Sequence, residues 1–395
     1  METVERSLWK RLPLSSNYAI AYAAKDSDVD EIAAYPITPQ TTVVEKLSEF
    51  IANGELNAEM VHVESEHSAM SASIGASAAG ARAFTATSSQ GLELMHELLH
   101  IASGMRLPIV MSVAARALSA PLSIWGDYSD VMNTRDTSWI TLIASSAQEA
   151  YDSIVQAYRI AESVLLPVMV AYDGFMMSHT YEPVFVSERS GLFSKYIPRK
   201  EREFVLDVDR PLTMGAVANP DWYYEVKYQQ VQAMEKAYEA ASEADLTFKG
   251  SFGRGYGLIE ENSVDDADVT LLTYGGVFGT VKQAVDEMRE SGISVGAARL
   301  RLFRPLPYKE LKSLAEKSKA IVVLDRSFSN GVQISGPLAI ELSSMLNSYK
   351  MSVPLYSYII GIGQRTVTEA DISKIVSDAT SRRSTGKSIY WGVRE

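Results

Sequence analysis

The sequence predicts an α/β protein with two regions in which strands and helices alternate. Short apolar runs alternate with segments of helical periodicity over the first 180 residues, and the same alternation returns from residue 268. A connector with weak periodicity and a long polar helix, 221–245, lies between the two regions. Because the apolar runs have the length of parallel strands and the helical segments that of crossover helices, we expect parallel sheets covered by helices on both faces. We place the first domain, with the connector, at residues 1–255 and a smaller second domain at 256–395.

Proline, glycine and apolar spacing define the elements of the first region. Pro36 and Pro39 exclude helix and favour extended backbone before them, so the strand that begins at Glu31 runs into a loop. The next helix ends at Gly54, a common residue after a helix C-terminus. The helix that begins at Glu66 consists almost wholly of Ala, Ser and Gly, which let a neighbouring backbone or a ligand approach closely. In chain order we expect strand 31–39, helix 40–54, strand 60–63, the helix from Glu66, strand 81–87, helix 90–104, strand 107–114, helix 146–163 and strand 165–174.

The second region repeats this alternation over shorter segments. In chain order we expect strand 268–276, helix 280–292, strand 295–303, helix 308–319, strand 320–327, helix 335–348, a strand from 354 and one more helix. In parallel sheets ligands bind beyond the carboxyl ends of the strands. We therefore expect the chemistry of the first region in the loops after Tyr35, Val63, Thr87, Ala114 and Tyr172.

Composition excludes several classes of function. A net charge of −12 without a cluster of Lys and Arg argues against a nucleic-acid partner. The charged amino terminus lacks the apolar core of a signal peptide, and no apolar run reaches the length of a membrane span, so we expect a cytoplasmic protein that does not enter a membrane. The chain has no cysteine, which excludes thiol nucleophiles, disulfides and a cysteine-ligated iron–sulfur cluster on this polypeptide.

The segment HELLH (96–100) matches the H-E-x-x-H pattern, which on a helix places two histidines around zinc with the glutamate as general base. It lies inside the predicted helix 90–104, whose apolar positions are expected to face a sheet. Nothing in the sequence nominates a third ligand. Local hydrogen bonding by two helix histidines is therefore the better interpretation, and a zinc hydrolase is kept only as a distant alternative.

Six further motifs follow one another in the loops of the first region. They are YPITPQT (35–41), VESEHSA (63–69), TATSSQGLELM (85–95), RALSAPLSIWGDYSD (116–130), RDTSW (135–139) and YDGFMMSHT (172–180). Together they resemble the alpha subunit of the 2-oxoacid:ferredoxin oxidoreductases, the pyruvate:ferredoxin oxidoreductase family, which includes oxalate oxidoreductase. The resemblance extends over essentially the whole chain, including LDRSFSNG and GIGQR in the second region.

The resemblance implies a thiamine-diphosphate pyrimidine-binding domain with a parallel sheet, followed by a smaller α/β domain similar to the carboxyl-terminal domain of transketolase. It implies that Glu66 is the catalytic carboxylate that hydrogen-bonds N1′ of the aminopyrimidine, and that Pro36 and Ile37 also contact the cofactor. The cofactor then carries the chemistry and the carboxylate tunes its ring. Glu64 lies two residues away, but Glu66 is nearer the expected helix amino terminus, and Glu64 is interpreted as a surface or capping carboxylate.

By the same resemblance, Thr38 and Arg116 bind the substrate. An arginine fork holds a carboxylate through two parallel hydrogen bonds, and a threonine hydroxyl can orient a carboxylate or keto oxygen. From the residues alone, a turn role for Thr38 and a surface ion pair for Arg116 stay open. Arg82 and Arg106 are expected to be structural, and SSQ (88–90) either lines the site or caps the next helix.

The resemblance also implies partner chains. The usual diphosphate motif of thiamine enzymes, a G-D-G start followed by an asparagine, does not occur, and GDYSD (126–130) is not that motif. No metal site is therefore expected on this chain. We expect thiamine diphosphate to be shared with a beta subunit that carries the Mg and diphosphate site and an iron–sulfur cluster. We expect all [4Fe-4S] clusters to lie on partner chains. The complex is expected to contain gamma and/or delta subunits, and ferredoxin is the expected electron acceptor.

The substrate stays open among small 2-oxoacids. Many pyruvate-class subunits read A-N-R-A-L-S-A-P followed by I-N-I-W-N-D, whereas here Ala115 precedes the arginine and Gly126 replaces the second asparagine. We expect oxidative decarboxylation of pyruvate or oxalate, with coenzyme A taking the acyl group only for pyruvate. A branched-chain 2-oxoacid or phenylglyoxylate is the alternative. A noncatalytic scaffold subunit is the competing class, and it predicts that Glu66 can be replaced without loss of turnover.

Overall fold

The computed structural model describes residues 8–199, 201–382 and 386–394. The strands, in chain order, are β1 (Trp9–Leu14), β2 (Glu31–Ala33), β3 (Glu59–Val61), β4 (Ala83–Thr87), β5 (Val110–Ala115), β6 (Ile140–Ile143), β7 (Val168–Asp173), β8 (Glu182–Ser187), β9 (Ile259–Asn262), β10 (Val269–Thr273), β11 (Val295–Leu300), β12 (Leu302–Arg304), β13 (Ala320–Asp325), β14 (Leu355–Ile359) and β15 (Ile389–Tyr390). The α-helices are α1 (Ser16–Asp26), α2 (Thr41–Ala52), α3 (Glu66–Ala78), α4 (Gln90–Leu94), α5 (His96–Gly104), α6 (Ser129–Asn133), α7 (Ala147–Val164), α8 (Pro220–Phe252), α9 (Phe278–Glu290), α10 (Tyr308–Lys317), α11 (Pro337–Ser348) and α12 (Glu369–Ser381).

The first region folds around a sheet with the strand order β12-β6-β7-β5-β4-β2-β3. Every neighbouring pair from β6 to β3 is parallel, and only β12 runs antiparallel, at the β6 edge. One face carries Phe84 and Val110 in a buried apolar cluster with residues of α1, α2 and α7. The other face carries Met111 and Val113 in a second cluster. This two-sided burial explains why these strands read as continuous apolar runs.

The second region has its own sheet, in the order β15-β14-β13-β10-β11-β9. Its strands are parallel except β9, which pairs antiparallel with β11 at one edge. β1 and β8 form a separate antiparallel pair. The α/β class predicted from the sequence is therefore confirmed, with parallel sheets in both regions.

The two regions share part of their core. Met111 of β5 and Leu300 of β11 belong to the same buried cluster. In addition, β12 leaves the second region and adds an edge strand to the first sheet, where Leu302 is paired with Leu142. A rigid core common to both regions fixes the position of the second region relative to the strand ends of the first. The domain division between residues 255 and 256 stays a prediction.

The expected strand 295–303 is wrong as a single element. It is divided at Arg301 into β11 in the second sheet and β12 in the first. The Arg301 guanidinium is fully buried and hydrogen-bonds Ser153 and Gln156 of α7. The chain changes sheet at this residue, where the charged side chain is buried against a helix of the first region. The prediction missed the division because period-two alternation does not indicate which sheet a strand joins.

Other boundaries also differ from the predictions. The expected helix 90–104 is interrupted at Met95, which ends α4 and precedes α5. Residue Ile101, expected to face a sheet, is 38% exposed. The sequence analysis also missed β1, β6, β8, β9, β15, α1 and α6. Most of these are short or lie at an edge, but α1 has 11 residues and packs in the core of the first region. Within the described residues, no helix is both long and apolar enough to cross a membrane.

Candidate active site

The carboxyl ends of the parallel strands bring the predicted site residues to one edge of the first sheet. Thr38 follows β2, Glu66 follows β3, Thr87 ends β4 and Arg116 follows β5. Because these four strands run parallel, their carboxyl ends lie at the same edge. The loops that the sequence predicted as the place for chemistry are therefore neighbours in space.

Glu66 is buried at the start of α3, whereas Glu64 is exposed. Ser65 caps the helix by accepting the N–H of Ser68 over 3.2 Å, which leaves Glu66 in the first turn. Glu66 is only 6% exposed, and this burial raises the pKa of its carboxyl group, opposed by a hydrogen bond from its own backbone N–H. Glu64 accepts a hydrogen bond from the Ser68 hydroxyl at the surface. The geometry thus favours Glu66 over Glu64 as the carboxylate inside the site.

Gly91 packs directly against this carboxylate. A Cβ atom at position 91 would lie 2.5 Å from Glu66 Oε1 and 2.5 Å from Thr87 Oγ1. The Thr87 hydroxyl is fully buried and has no hydrogen-bond partner among the described residues. Because Gly91 has no side chain, the Glu66 carboxylate and the unsatisfied Thr87 hydroxyl both lie next to the position that a Cβ atom would occupy. The sequence analysis assigned no role to either residue.

Arg116 is held by backbone carbonyl groups. Its Nη1–H donates to the Thr38 carbonyl over 2.9 Å, and its Nε–H donates to the Ser123 carbonyl over 2.8 Å. The side chain is 5% exposed, and burial lowers its pKa against the opposing charge of Asp130. The structure therefore brings the two predicted substrate residues together, and the surface ion pair left open for Arg116 is not found among the described residues.

The loop that carries Pro36, Ile37 and Thr38 lies largely at the surface and is anchored by the buried residue Gln40. Pro36 and Thr38 are exposed and Ile37 is half-buried. Gln40 is buried, and its Nε2 donates to the Tyr35 carbonyl and to the Ala86 carbonyl of β4, each over 3.1 Å. The turn that carries the three loop residues is therefore fixed by buried hydrogen bonds of Gln40.

The position of Gly126 is set by backbone packing. A Cβ atom there would lie 2.6 Å from the Gly174 carbonyl oxygen, and a Cβ atom on Gly174 would lie 2.6 Å from the Ala115 carbonyl oxygen. The N–H of Gly126 donates to Gln364 Oε1 of the second region. The loop after Arg116 is thus packed between the end of β7 and the second region, and a side chain at position 126 would displace it.

The other polar residues considered from the sequence have structural contacts. The hydroxyls of Ser88 and Ser89 are buried and donate to the carbonyls of Ala114 and Ala117, each over 2.7 Å, so they join neighbouring loops instead of lining an open site. Arg82 forms an ion pair with Glu162. Arg106 donates to the carbonyls of 164 and 165. The structural interpretation of both arginines is confirmed.

The histidines of HELLH do not converge on a metal site. The rings of His96 and His100 stack with centroids 5.5 Å apart and an interplanar angle of 17°. Across residues 8–199, 201–382 and 386–394, no group of three or more His, Cys, Asp or Glu side chains is placed to hold a metal ion. The zinc interpretation therefore has no ligand set in this part of the chain.

A cavity of about 670 Å³ lies between the loop after Arg116 and the second region. Its lining includes Ser123, Asp127 and Asn133 on one side and Ser327 and Asn330 on the other. Glu66 is not among the lining residues, so this cavity adjoins Arg116 through Ser123 and does not reach the buried carboxylate.

Comparison with known proteins identifies the family of this chain. Residues 22–245 match the family described as "Pyruvate flavodoxin/ferredoxin oxidoreductase, thiamine diP-bdg", and residues 267–372 match "Pyruvate:ferredoxin oxidoreductase core domain II". The chain is 48% identical to the pyruvate synthase subunit PorA of Methanocaldococcus jannaschii, over 97% of this chain and 98% of the relative. It is 45% identical to the ketoisovalerate oxidoreductase subunit VorA of Pyrococcus horikoshii, over 95% of each.

Two solved structures share the fold at low sequence identity. A 2-oxoglutarate:ferredoxin oxidoreductase from Magnetococcus marinus superposes with a TM-score of 0.69 at 20% identity, over 94% of this chain and 65% of that chain. A split-gene transketolase superposes with a TM-score of 0.55 at 13% identity, over 94% of this chain and 99% of that chain. The thiamine diphosphate-binding domain and the transketolase-like neighbour confirm the predicted fold class. The chain therefore belongs to the pyruvate:ferredoxin oxidoreductase family and is an alpha subunit of an oxidoreductase complex.

Proposed function

We propose that this alpha subunit belongs to a thiamine-diphosphate-dependent complex that oxidatively decarboxylates a small 2-oxoacid, with pyruvate as the first candidate, and passes the electrons to ferredoxin. The observation that carries the proposal is the placement of buried Glu66 and of the Arg116–Thr38 contact at one edge of a parallel sheet. The family match over residues 22–245 supports the thiamine assignment. Domains at 1–255 and 256–395 and a cytoplasmic location complete the proposal.

The residues at the strand ends fit the aminopyrimidine half of thiamine diphosphate. They offer a buried carboxylate at a helix amino terminus, the unsatisfied hydroxyl of Thr87 and the half-buried and exposed side chains of Ile37 and Pro36. When bound, the cofactor supplies the carbon nucleophile for the 2-keto carbon of the substrate. We assign Glu66 to ring nitrogen N1′, and Pro36 and Ile37 to contacts with the same ring.

Burial increases the proton affinity of Glu66. It raises the pKa of the carboxyl group, which is the direction that favours sharing a proton with a ring nitrogen. Gly91 leaves room for the carboxylate, and the start of α3 orients it. A carboxylate held in this way tunes the cofactor ring without taking part in bond formation to the substrate.

Arg116 and Thr38 are assigned to the 2-oxoacid. The two carbonyl contacts of Arg116 use only part of its N–H groups and fix the direction of the fork. The remaining N–H groups would hold the substrate carboxylate, and the exposed Thr38 side chain would orient a carboxylate or keto oxygen. Because Arg116 would bind one carboxylate, this arrangement fits a 2-oxoacid that has a single carboxylate.

The rest of the machinery is proposed to lie on partner chains. The chain has no cysteine and lacks the G-D-G motif, which supports a beta subunit that carries the diphosphate, Mg and an iron–sulfur cluster. We assign the remaining [4Fe-4S] clusters to gamma and/or delta subunits, with ferredoxin as acceptor and coenzyme A as the acyl acceptor for pyruvate. The subunit designations of the relatives support such a multi-subunit complex.

A branched-chain 2-oxoacid is the second candidate substrate. The relatives named as ketoisovalerate oxidoreductase subunits are 44–46% identical to this chain, which overlaps the 43–48% identity of those named as pyruvate synthase subunits. For oxalate and phenylglyoxylate the support is chemical only: a single arginine fork would also bind one of the two carboxylates of oxalate or the one carboxylate of phenylglyoxylate.

A substrate screen on the purified native complex tests the proposal. Viologen reduction is measured with pyruvate, 2-oxoisovalerate, phenylglyoxylate and oxalate, each with and without coenzyme A. We expect the highest kcat/KM with pyruvate and dependence on coenzyme A. A preference for 2-oxoisovalerate would select the second candidate, and no reduction with any of the four would contradict the proposed reaction.

A further inference from the structure

Asp130 is a fully buried carboxylate among the site loops and has no role in the function proposed above. It lies in the short helix α6 and is 0% exposed. Its Oδ2 accepts the backbone N–H of Ser89 over 2.8 Å and that of Arg116 over 3.0 Å, and its Oδ1 accepts the N–H of Val131 over 2.8 Å. One carboxylate thus satisfies three backbone N–H groups that come from three segments of the chain.

These hydrogen bonds join the two halves of the candidate site. Ser89 follows β4 and lies two residues from Gly91, which packs on Glu66. Arg116 follows β5. Because a single oxygen atom of Asp130 accepts from both N–H groups, the two loops cannot move apart without losing a buried hydrogen bond. Ser89 also has a φ of +49°, a conformation that costs a non-glycine residue energy and needs support from its surroundings.

We propose that Asp130 is a positioning residue for the substrate arginine: its carboxylate fixes the backbone at Arg116 against Ser89, so that the guanidinium meets the 2-oxoacid carboxylate at a set distance from Glu66. The inference rests on the proposed function, because it gives Arg116 the substrate. It adds the part of the chain that holds Arg116 in place. Asp130 contacts neither substrate nor cofactor in this account.

Two substitutions at position 130 test this role together. Asparagine changes the volume negligibly, but it keeps one oxygen acceptor, and an amide whose oxygen takes the Oδ2 position loses only the hydrogen bond from Val131. Serine removes both carboxylate oxygens, and with them the hydrogen bonds that hold the Arg116 and Ser89 backbones.

The second region offers a matched control at Asp325. This carboxylate is also 0% exposed, and it accepts the N–H groups of Leu338 and Ala339 and the hydroxyl of Tyr274, which are all distant in sequence from the site loops. Burial raises the pKa of both groups, because each side chain is fully enclosed. Asp325→Asn has the same chemistry without a contact to Arg116.

The experiment compares Asp130→Asn, Asp130→Ser, Asp325→Asn and Arg116→Gln in the complete complex. For Asp130→Ser we expect the KM for pyruvate to rise about tenfold while kcat changes less than about threefold, because a misplaced fork weakens carboxylate binding. Asp130→Asn should raise the KM no more than Asp130→Ser does. Thiamine diphosphate affinity, measured by titration of the apo complex, should stay within about twofold of wild type. Asp325→Asn should leave the KM unchanged.

Each outcome is decisive. If Arg116→Gln raises the KM and neither Asp130→Ser nor Asp130→Asn does, the positioning role is wrong while the proposed function stands. If Arg116→Gln itself leaves the KM for every 2-oxoacid unchanged, the proposed substrate role of Arg116 is wrong. Should Asp130→Asn and Asp130→Ser both prevent assembly while Asp325→Asn assembles, Asp130 is needed for folding and the positioning role is contradicted.

Discussion

The Nη1–H of Arg116 donates a hydrogen bond of 2.9 Å to the carbonyl oxygen of Thr38, 78 residues earlier in the chain. This contact joins the loop after β2 to the loop after β5 across the intervening strand β4. The two residues proposed to bind the substrate are therefore held as one unit before any ligand is present. Such preorganisation reduces the cost of fixing a carboxylate in the site.

Arg116→Lys should weaken substrate binding although the charge is kept. A lysine ammonium cannot donate to two carbonyl groups in fixed directions and still present a planar fork to a carboxylate. We expect the KM for the 2-oxoacid to rise about tenfold or more, measured by viologen reduction. Arg106→Lys is the matched control, since Arg106 also donates to two carbonyl oxygens, those of residues 164 and 165, but precedes β5 instead of following it. An equal rise in both variants would argue against a substrate role for Arg116.

Gly91→Ala should displace the Glu66 carboxylate. The added Cβ would lie 2.5 Å from Glu66 Oε1 and from Thr87 Oγ1, which is closer than any tolerated contact. We expect loss of most 2-oxoacid-dependent turnover with weaker thiamine diphosphate binding, both measured on the assembled complex. Gly75→Ala, on the same helix as Glu66, has open space around its Cβ and should keep full activity and gain up to about 1 kcal/mol of stability. Full activity of Gly91→Ala would mean that the carboxylate does not need this position.

The sequence alone was enough to nominate the residues proposed to bind ligands, but not the residue proposed to hold one of them in place. Glu66, Arg116 and Thr38 follow strand ends in motifs, and strand ends of a parallel sheet necessarily meet. Asp130 was read only as part of GDYSD, a string that does not match a metal motif. Its function emerges when β4 and β5 become neighbours, because its partners are backbone N–H groups that every residue except proline has.

Gly126 is another residue that the sequence alone could not explain. From the sequence, this glycine was a departure from the pyruvate-class pattern, which left the substrate open. In the structure its Cβ position is occupied to within 2.6 Å by the Gly174 carbonyl oxygen, so backbone packing explains the residue. Most helices and parallel strands were predictable from periodicity, although α1, α6 and β6 were missed. β12 was not predictable, because its antiparallel pairing with β6 depends on contacts made by the other region.

Glu149→Gln should destabilise the junction between the two regions. Glu149 of α7 is fully buried and pairs with both Arg299, at 2.9 Å, and Arg301, at 3.2 Å. Removing its charge leaves two buried guanidinium groups without this counter-ion, which typically costs about 3–5 kcal/mol. Glu260→Gln is the control, because Glu260 is 37% exposed and pairs only with Arg299, so about 1 kcal/mol or less is expected. Urea unfolding of the purified chain measures both, and equal midpoints would contradict the role of Glu149.

Glu31→Gln should change how stability depends on pH. Burial raises the pKa of Glu31 to about 7, against a small opposing effect of the Ser73 hydroxyl. Since the folded-state pKa lies above the unfolded value, the wild type loses stability as pH rises from about 4.5 towards 7, where the unfolded chain ionises first. The glutamine variant avoids this loss, so we expect it to be more stable than wild type by about 2 kcal/mol at pH 8 and by much less at pH 5. Thermal unfolding across this range tests the sign, and parallel curves would contradict it.

Replacement of Glu66 tests the central claim most directly. Glu66→Gln is made in the complete complex beside Glu64→Gln, which changes the same type of side chain two residues away at the surface. We predict that Glu66→Gln abolishes almost all 2-oxoacid-dependent viologen reduction while the complex still assembles, and that Glu64→Gln keeps wild-type turnover. Wild-type turnover by assembled Glu66→Gln would contradict the account.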